Sequence, residues 1–225
     1  MTEILQKIKR KGFVGTVQVS VKILRNLPYQ ISETIKHKVF LELHPELKEA
    51  EKIRTSVMPN EKRKLFYLAS EVVDGFALEI GSYLGASACF ISAGLKSNSK
   101  LICVDTWMND AMNEEKRDTY GEFLKNTYAF RHKIITIRDF SYKAVEKVRE
   151  ITNGRIDLLF IDGDHSYEGC KTDFELFFPM LKSGGYVIFH DWGWAEGVQK
   201  VVREFAIPYL SFWSSLPNMF YGTRR

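Results

Sequence analysis

Two groups of ionisable residues follow apolar runs in the second half of the chain. One run ends at residue 161 and is followed by Asp162, Asp164 and His165, and another ends at residue 189 and is followed by His190 and Asp191. Buried strands rarely end in so many ionisable side chains unless these have a task. If the two strands are neighbours, Asp162, His190 and Asp191 converge, and two carboxylates with one imidazole can hold Mg²⁺ or Mn²⁺. The alternative is that Asp164 or Ser166 caps the next helix and His190 forms hydrogen bonds inside the fold.

A glycine turn and an acidic residue follow two earlier apolar runs. Gly81 and Gly85 bracket a turn before a predicted helix, where glycine lets a ligand approach the backbone and the helix start offers N–H groups. The G-x-x-x-G spacing is neither the dinucleotide-binding fingerprint nor a P-loop. Asp105, 24 residues after Gly81, ends the next run and can accept hydrogen bonds from ribose hydroxyls. The pattern therefore favours a nucleoside ligand without a pyrophosphate over NAD.

A third run ends in a polar and aromatic segment, Asp139-Phe140-Ser141. These residues could contact the edge and the face of an adenine. Asp139 or Ser141 could equally cap the helix that follows. Both interpretations stay open from the residues alone.

The elements that position these residues alternate regularly from residue 59 onward. Short apolar runs at 76–81, 101–105, 134–138, 157–161 and 185–190 alternate with helical stretches at 85–95, 114–128, 141–152 and 167–181, and two short strands at 207–213 and 218–222 follow. This alternation predicts an α/β fold, a Rossmann-like, doubly wound, mostly parallel seven-stranded sheet with helices on both faces. Ligands of such sheets lie at the carboxyl ends of the strands, where the residues above are found.

Residues 1–54 form a basic arm outside this alternation. Residues 1–64 carry a net charge of +7, whereas residues 65–225 carry −3. Phe13, Val17, Val21 and Leu24 fit a helical stripe, although the valines also fit a strand. We predict a helical arm over 1–54 and a catalytic domain over 55–225. The stripe could pack on that domain or form a homodimer, and Lys7–Lys11 could rest on a membrane surface.

The composition excludes several classes of protein. The 225 residues are 45% apolar and 27% charged, which is typical of a chain that buries a core. No apolar run has the roughly 18 residues of a spanning helix, and no secretory signal is evident. Three scattered cysteines predict reduced thiols and a cytoplasmic protein. The acidic body predicts no nucleic-acid partner and no stable membrane insertion.

Four segments of the chain resemble the class I S-adenosylmethionine-dependent methyltransferases. They are Glu79–Ser87, Val104–Trp107, Phe160–Glu168 and Gly184–Trp192. More narrowly, the chain is similar to bacterial small-molecule O-methyltransferases, a group that includes the macrocin and novobiocin-pathway sugar methyltransferases and the cephalosporin-biosynthesis methyltransferase-like proteins. The similarity covers residues 55–225 and leaves the arm unexplained.

The resemblance implies a cofactor site and a catalytic group. Residues implied to bind S-adenosylmethionine are Met58, Glu79, Gly81, Ser82, Tyr83, Gly85, Ser87, Asp105, Thr106, Trp107, Asp139, Phe140, Ser141 and Asp162. Asp164 is the first candidate for the base, and His165 is the second because imidazole titrates near neutral pH. Related metal-dependent enzymes imply Asp162, His190 and Asp191 as ligands of a divalent cation. His190 stands where relatives carry an acid, which puts the metal in question.

The predicted function is methyl transfer from S-adenosylmethionine to a hydroxyl of a small sugar or phenolic acceptor, assisted by a divalent cation. A metal-independent O- or N-methyltransferase of the same fold is the alternative, and a non-catalytic S-adenosylmethionine-binding protein is a further one. The insert over 107–128 is predicted to line the acceptor pocket with Met108, Met112, Tyr120 and Phe123. Trp192 and Trp194 are candidates for stacking on the acceptor.

Overall fold

A computed structural model of the chain describes residues 13–110 and 116–225, with side chains from residue 28 onward. Lys7–Lys11, Met112 and the side chains of the predicted stripe from Phe13 to Leu24 lie outside the described residues. No helix in the described part of the chain combines the length and apolarity needed to cross a membrane.

The described part of the chain contains seven strands in one sheet. The strands are β1 Phe76–Ile80, β2 Lys100–Asp105, β3 Ile134–Arg138, β4 Ile156–Ile161, β5 Leu181–His190, β6 Leu210–Leu216 and β7 Met219–Arg224. The helices are α1 Phe13–Leu43, α2 Pro59–Ser70, α3 Ala86–Gly94, α4 Tyr120–Asn126, α5 Ser141–Thr152, α6 Tyr167–Phe177 and α7 Glu196–Val201.

The strand order is β3-β2-β1-β4-β5-β7-β6, which confirms the predicted doubly wound sheet. All pairs from β3 to β5 are parallel, whereas β7 runs antiparallel to β5 and to β6. The order reverses direction between β1 and β4. A crevice at the carboxyl ends of the strands is expected at such a switch point.

Strand composition explains why both faces of the sheet are covered. Neighbouring side chains of one strand point to opposite faces, and Ala77 and Leu78 belong to two different buried clusters. All six residues of β4 are buried. A strand with apolar residues on both faces is stable only where helices pack on each side, as in parallel sheets.

The chain divides into two compact units, and the boundary falls between Leu43 and His44. Residues 44–54, which the sequence prediction grouped with the basic arm, therefore lie in the larger unit. Leu47 and Ala50, in two short 3-10 helices, are buried there at 0% and 4% exposure. These two apolar residues stand among charged ones, so the sequence does not show that they are buried. The smaller unit contains α1, which agrees with a helix in the arm, and the functions assigned to arm and domain stay predictions.

Candidate active site

The carboxyl ends of β1, β2, β4 and β5 lie side by side and border a cavity of about 760 Å³. The parallel register aligns Ile80 with Val104 and with Ile161, and Ile161 with Phe189, so the residues after each strand emerge together. The volume is typical of a site for a small molecule or cofactor.

Most of the sequence-predicted site residues line this cavity. They are Gly81, Ser82, Tyr83, Gly85, Ser87, Asp105, Thr106, Asp139, Phe140, Ser141, Asp162, Asp164, His165 and Asp191. Four others do not line it, namely Met58, Glu79, Trp107 and His190. Residues that the sequence analysis did not select also line the cavity, among them Arg54 and Asp173.

The turn after β1 depends on Gly81. Its φ of +85° is a conformation that side chains disfavour, and a Cβ placed there would lie 2.2 Å from the carbonyl oxygen of Asp162. The backbone N–H of Gly85 donates to the carbonyl of Ser82 at 2.8 Å, and α3 begins at Ala86. The turn therefore presents bare backbone and a helix N-terminus to the cavity, as a nucleoside cofactor requires.

Asp105 fixes the shape of this turn. Its Oδ2 accepts hydrogen bonds from the backbone N–H groups of Ser82 and Tyr83, both at 2.8 Å, and its Oδ1 accepts from that of Trp107 at 2.7 Å. A carboxylate has about four acceptor positions, so three amides do not exhaust it. Asp105 can hold the turn and still accept a hydrogen bond from a ribose hydroxyl.

Glu79 lies fully buried beneath the turn. Ser82 Oγ donates a hydrogen bond to its Oε2 at 2.6 Å, whereas Oε1 has no partner among the described residues. Burial raises the pKa of Glu79 to about 7, against the lowering effect of the bond from Ser82. Glu79 does not line the cavity, so its part in this site is to hold Ser82 of the turn from below.

The part of the cavity formed after β3 is aromatic and acidic. The rings of Phe140 and Tyr142 stack with centroids 5.5 Å apart, and both are exposed towards solvent. Asp139 accepts a hydrogen bond from the N–H of Phe140. Asp173, on the buried side of α6, is 3% exposed, and burial raises its pKa to about 6. An acid on an otherwise apolar helix face is the sequence signal that could have identified Asp173 as a site residue.

A histidine–aspartate pair also lines the cavity. The Nε2 of His165 lies 2.7 Å from Oδ2 of Asp191, and the hydrogen bond to Asp191 raises the pKa of His165. Asp191 Oδ1 accepts hydrogen bonds from Trp194 Nε1 at 2.7 Å and Asn218 Nδ2 at 3.0 Å. Burial acts to raise the pKa of Asp191, but hydrogen bonds from His165, His190 and Asn218 and the charge of His190 hold it well below its usual range.

His190 lies behind this pair. It is 1% exposed, and its Nδ1 is 3.0 Å from Asp162 Oδ1 and 3.3 Å from Asp191 Oδ1. Its Nε2 is 3.4 Å from Oε2 of Glu61, a residue of α2 that sequence reasoning missed. Burial alone would lower the pKa of His190, but the three carboxylates raise it to about 12. The three carboxylates therefore favour the protonated form of this ring.

The predicted cation ligands lie together, since Nδ1 of His190 is close to both Asp162 and Asp191, and His190 as a metal ligand stays a prediction. Among the described residues a second set, Asp162, His165 and Asp191, has ligand atoms within 4.8 Å of one another. Nε2 of His190 faces Glu61, whereas His165 lines the cavity. Two carboxylates and the imidazole of His165 remain a chemically suitable donor set for a divalent cation.

Several predicted pocket residues belong to the core. Trp107 is 1% exposed and packs on Tyr120 and Phe123 with ring centroids 4.8 Å away in both cases. Met58, in contrast, lies on the surface: it precedes α2, is 53% exposed and does not line the cavity. The insert contributes Asn109 and Asp110 to the cavity wall, and its large aromatic side chains anchor the segment to the sheet.

The fold and the site together define a class of protein. A Rossmann-like sheet with this strand order, a glycine turn after β1 and an acid after β2 is typical of S-adenosylmethionine-dependent methyltransferases. Residues 78–192 match the model of the family described as a methyltransferase domain, and the chain belongs to this family.

Two curated relatives are similar over part of their length. An uncharacterized protein of Acanthamoeba polyphaga mimivirus is 29% identical over 131 residues, 56% of this chain and 57% of the relative. An uncharacterized protein of Sinorhizobium fredii is 30% identical over 144 residues, 62% of this chain and 14% of the relative. The chain thus covers less than two thirds of both.

Solved structures share the fold at low sequence identity. The O-methyltransferase from Bacillus cereus in complex with SAH has a TM-score of 0.58 at 14% identity, over 84% of this chain and 90% of that one. The calicheamicin methyltransferase CalS11 also has a TM-score of 0.58 at 14% identity, over 99% and 90%. The O-methyltransferase NovP has a TM-score of 0.55 at 16% identity, over 76% and 83%.

Proposed function

We propose that the protein methylates a hydroxyl group of a small sugar or phenolic acceptor, with S-adenosylmethionine as donor. The observation that carries the proposal is the 2.7 Å pair of His165 and Asp191, which lines the same cavity as the glycine turn. The solved relatives support an oxygen acceptor, since they are O-methyltransferases and one, CalS11, is a TDP-rhamnose 3'-O-methyltransferase.

When bound, the cofactor supplies an electrophilic methyl group on a sulfonium. His165 supplies the base: with Nε2–H directed to Asp191, the lone pair of Nδ1 takes the proton of the acceptor hydroxyl. The acceptor oxygen then bonds to the methyl carbon as the carbon–sulfur bond breaks. Asp191 keeps the imidazole in this tautomer and stabilises the imidazolium that forms. In this assignment Asp164, the first sequence candidate, accepts a hydrogen bond from the N–H of Ser166 and shapes the loop.

The charge of the cavity supports a cationic donor. Two basic side chains, Arg54 and His165, line it together with eight acidic ones, Asp105, Asp110, Asp139, Asp162, Asp164, Glu168, Asp173 and Asp191. A surplus of carboxylates in a concave site raises the local concentration of cations. The sulfonium of the donor is a cation, whereas the thioether of the product is neutral, so this surplus favours donor over product.

Replacing Asp105 by alanine tests the cofactor assignment. We expect the Kd for S-adenosylmethionine to rise about tenfold to a hundredfold, because a charged acceptor of ribose hydroxyls and of three turn amides is removed. Isothermal titration calorimetry measures the change. Glu150→Ala, an exposed acid of α5, is the control for lost negative charge and should leave Kd unchanged. An unchanged Kd for Asp105→Ala would contradict the ribose assignment.

A second candidate is the cation-assisted form of the same reaction, favoured by the convergence of Asp162, His165 and Asp191. These residues would hold Mg²⁺ or Mn²⁺, and the cation would lower the pKa of a bound hydroxyl. Against it, Asp191 already accepts hydrogen bonds on both oxygens, and the imidazolium of His190 neutralises charge next to Asp162.

Removal of metal ions distinguishes the two forms. We expect release of S-adenosylhomocysteine, with acceptors from a panel of catechols and nucleotide-linked sugars, to stay within about twofold after EDTA treatment, because the His165–Asp191 pair needs no metal. A loss of tenfold or more that added Mg²⁺ or Mn²⁺ restores would establish the cation-assisted form instead. No turnover on any acceptor, with the cofactor bound, would support the non-catalytic alternative.

The predicted homodimer through the arm stays a prediction. Helix α1 exposes Ile31, Ile35, Val39 and Leu43 at every fourth position, each more than half exposed. An apolar stripe of this spacing is a surface on which helices associate.

A further inference from the structure

The C-terminal hairpin reaches the candidate active site through its turn. Strands β6 and β7 are joined by only two residues, Pro217 and Asn218. β7 pairs with β5 in a register that sets Met219 opposite His190, the last residue of β5. Asn218 therefore lies at the carboxyl end of β5, next to Asp191.

Asn218 uses both ends of its side-chain amide there. Its Nδ2 donates a hydrogen bond to Asp191 Oδ1 at 3.0 Å, and its Oδ1 accepts one from the backbone N–H of Gly193, also at 3.0 Å. A Cβ on Gly193 would overlap the carbonyl oxygen of Pro217, so the hairpin turn and the loop after β5 are in direct contact. One amide thus fixes the side chain of Asp191 and the backbone two residues further along.

The carboxylate that Asn218 holds belongs to a residue with an unusual backbone. Asp191 has a φ of +57°, a left-handed conformation that a non-glycine residue keeps only where its surroundings impose it. Its Oδ1 accepts from Asn218 and Trp194 and lies 3.3 Å from Nδ1 of His190. Its Oδ2 is 2.7 Å from Nε2 of His165. The neighbours of the first oxygen therefore direct the second one to the base.

We propose that Asn218 is a positioning residue for the methyl transfer: it holds the Asp191 carboxylate in the orientation that keeps the His165 imidazole in its working tautomer. Without the amide, the carboxylate can turn about its last side-chain bond, and Nδ1 of His165 no longer has a fixed lone pair. This inference rests on the proposed function. It gives a part in the reaction to a residue outside the family-matched residues 78–192.

The first test is kinetic and uses the Asn218→Ala variant of the full chain. We expect kcat to fall about tenfold to a hundredfold, because a misplaced base transfers protons more slowly, while the Kd for S-adenosylmethionine stays within twofold. Asn98→Ala is the matched control, since Asn98 is an exposed turn residue before β2, at the other end of the strands, and should keep the wild-type kcat. A kcat of Asn218→Ala within twofold of the wild type overturns the inference.

A second background separates positioning from a general loss of structure. The His165→Asn variant has no base left to position, so the added Asn218→Ala change should lower its residual rate by less than twofold. A structural defect would lower the rate by the same factor in both backgrounds, and that outcome overturns the inference.

Asn218→Asp takes the place of the alanine variant if the latter does not fold. An aspartate keeps the acceptor for Gly193 and the backbone N–H that donates to Glu61, but it loses the donor to Asp191. The loss in kcat should therefore be at least as large. An Asn218→Asp variant with the wild-type kcat would overturn the inference.

Nitrogen NMR of the His165 ring, assigned with the His165→Asn variant, tests the inference without any acceptor. At a pH where the ring is neutral, we expect the wild type to show one tautomer, with its proton on Nε2. In Asn218→Ala the two nitrogen signals should move towards each other as both tautomers become populated, and unchanged signals overturn the inference. A wild type that binds the cofactor but turns over no acceptor contradicts the proposed function alone, because the NMR result still decides whether Asn218 holds the pair.

Discussion

The His165→Asn variant is expected to lose between about a hundredfold and ten-thousandfold in kcat while it binds S-adenosylmethionine as the wild type does. A positioned base contributes about this factor to proton transfer, and an asparagine amide of similar size cannot take the proton. In the described part of the chain, no hydrogen bond joins His165 to Asp105, which holds the glycine turn, so we expect the replacement to leave the proposed ribose contact in place. Initial rates of S-adenosylhomocysteine release, with any acceptor of the panel that turns over, measure the loss.

Two further variants sharpen this result. Asp191→Asn keeps the shape of the side chain but no longer holds the imidazole in one tautomer, so a comparable loss in kcat is expected, and the double variant should be no slower than either single one. His132→Asn, an exposed histidine before β3, is the control and should retain full activity. A kcat of His165→Asn within threefold of the wild type would remove this residue from the chemistry and return attention to Asp164.

The Gly81→Ala variant is expected to lose measurable cofactor binding and about 2–4 kcal/mol of the free energy of unfolding. One part of the loss is the strain of a side chain at φ +85°, and the other is the overlap of the new Cβ with the carbonyl oxygen of Asp162, 2.2 Å away. Relief of that overlap moves the loop after β4, which carries Asp162 and His165. Urea unfolding and calorimetry measure the two effects.

Gly184→Ala separates strain from overlap. Gly184 has a similar φ of +77°, but a Cβ there meets no atom within 4 Å. This variant should lose only about 1 kcal/mol, the cost of the backbone conformation, and bind the cofactor normally. Equal losses in the two variants would show that backbone strain alone, and no close approach to Asp162, requires glycine in the turn.

The sheet could be predicted from sequence because its signals are local. Each apolar run of five or six residues, such as residues 156–161, indicates a strand that is buried on both faces of the sheet. The residues that follow such parallel strands must emerge at the same edge of the sheet. For the same reason the sequence identified Gly81, Asp105 and Asp162 as neighbours in space. The parallel register then aligned them as expected.

The arrangement inside the polar cluster, which consists of Glu61, Asp162, His190, Asp191 and Asn218, could not be predicted. Adjacent strands place His190 and Asp162 together, but the direction of the His190 ring depends on Glu61, which is 129 residues away in sequence and on a helix outside the sheet. The same holds for Arg54, since nothing in a basic segment distinguishes the cation that lines a cavity from those that are solvated. Such contacts depend on tertiary packing, which has no short-range sequence pattern.

The polar cluster joins residues from both ends of the larger unit. Glu61 Oε1 accepts a hydrogen bond from the backbone N–H of Asn218 at 3.1 Å, and the Asn218 side chain donates to Asp191. Asn218 thus ties the C-terminal hairpin to Asp191, and Asp191 in turn contacts His165. In the proposed mechanism, the working position of the base therefore depends on the meeting of α2 and the C-terminal hairpin, two segments that lie 157 residues apart in the chain.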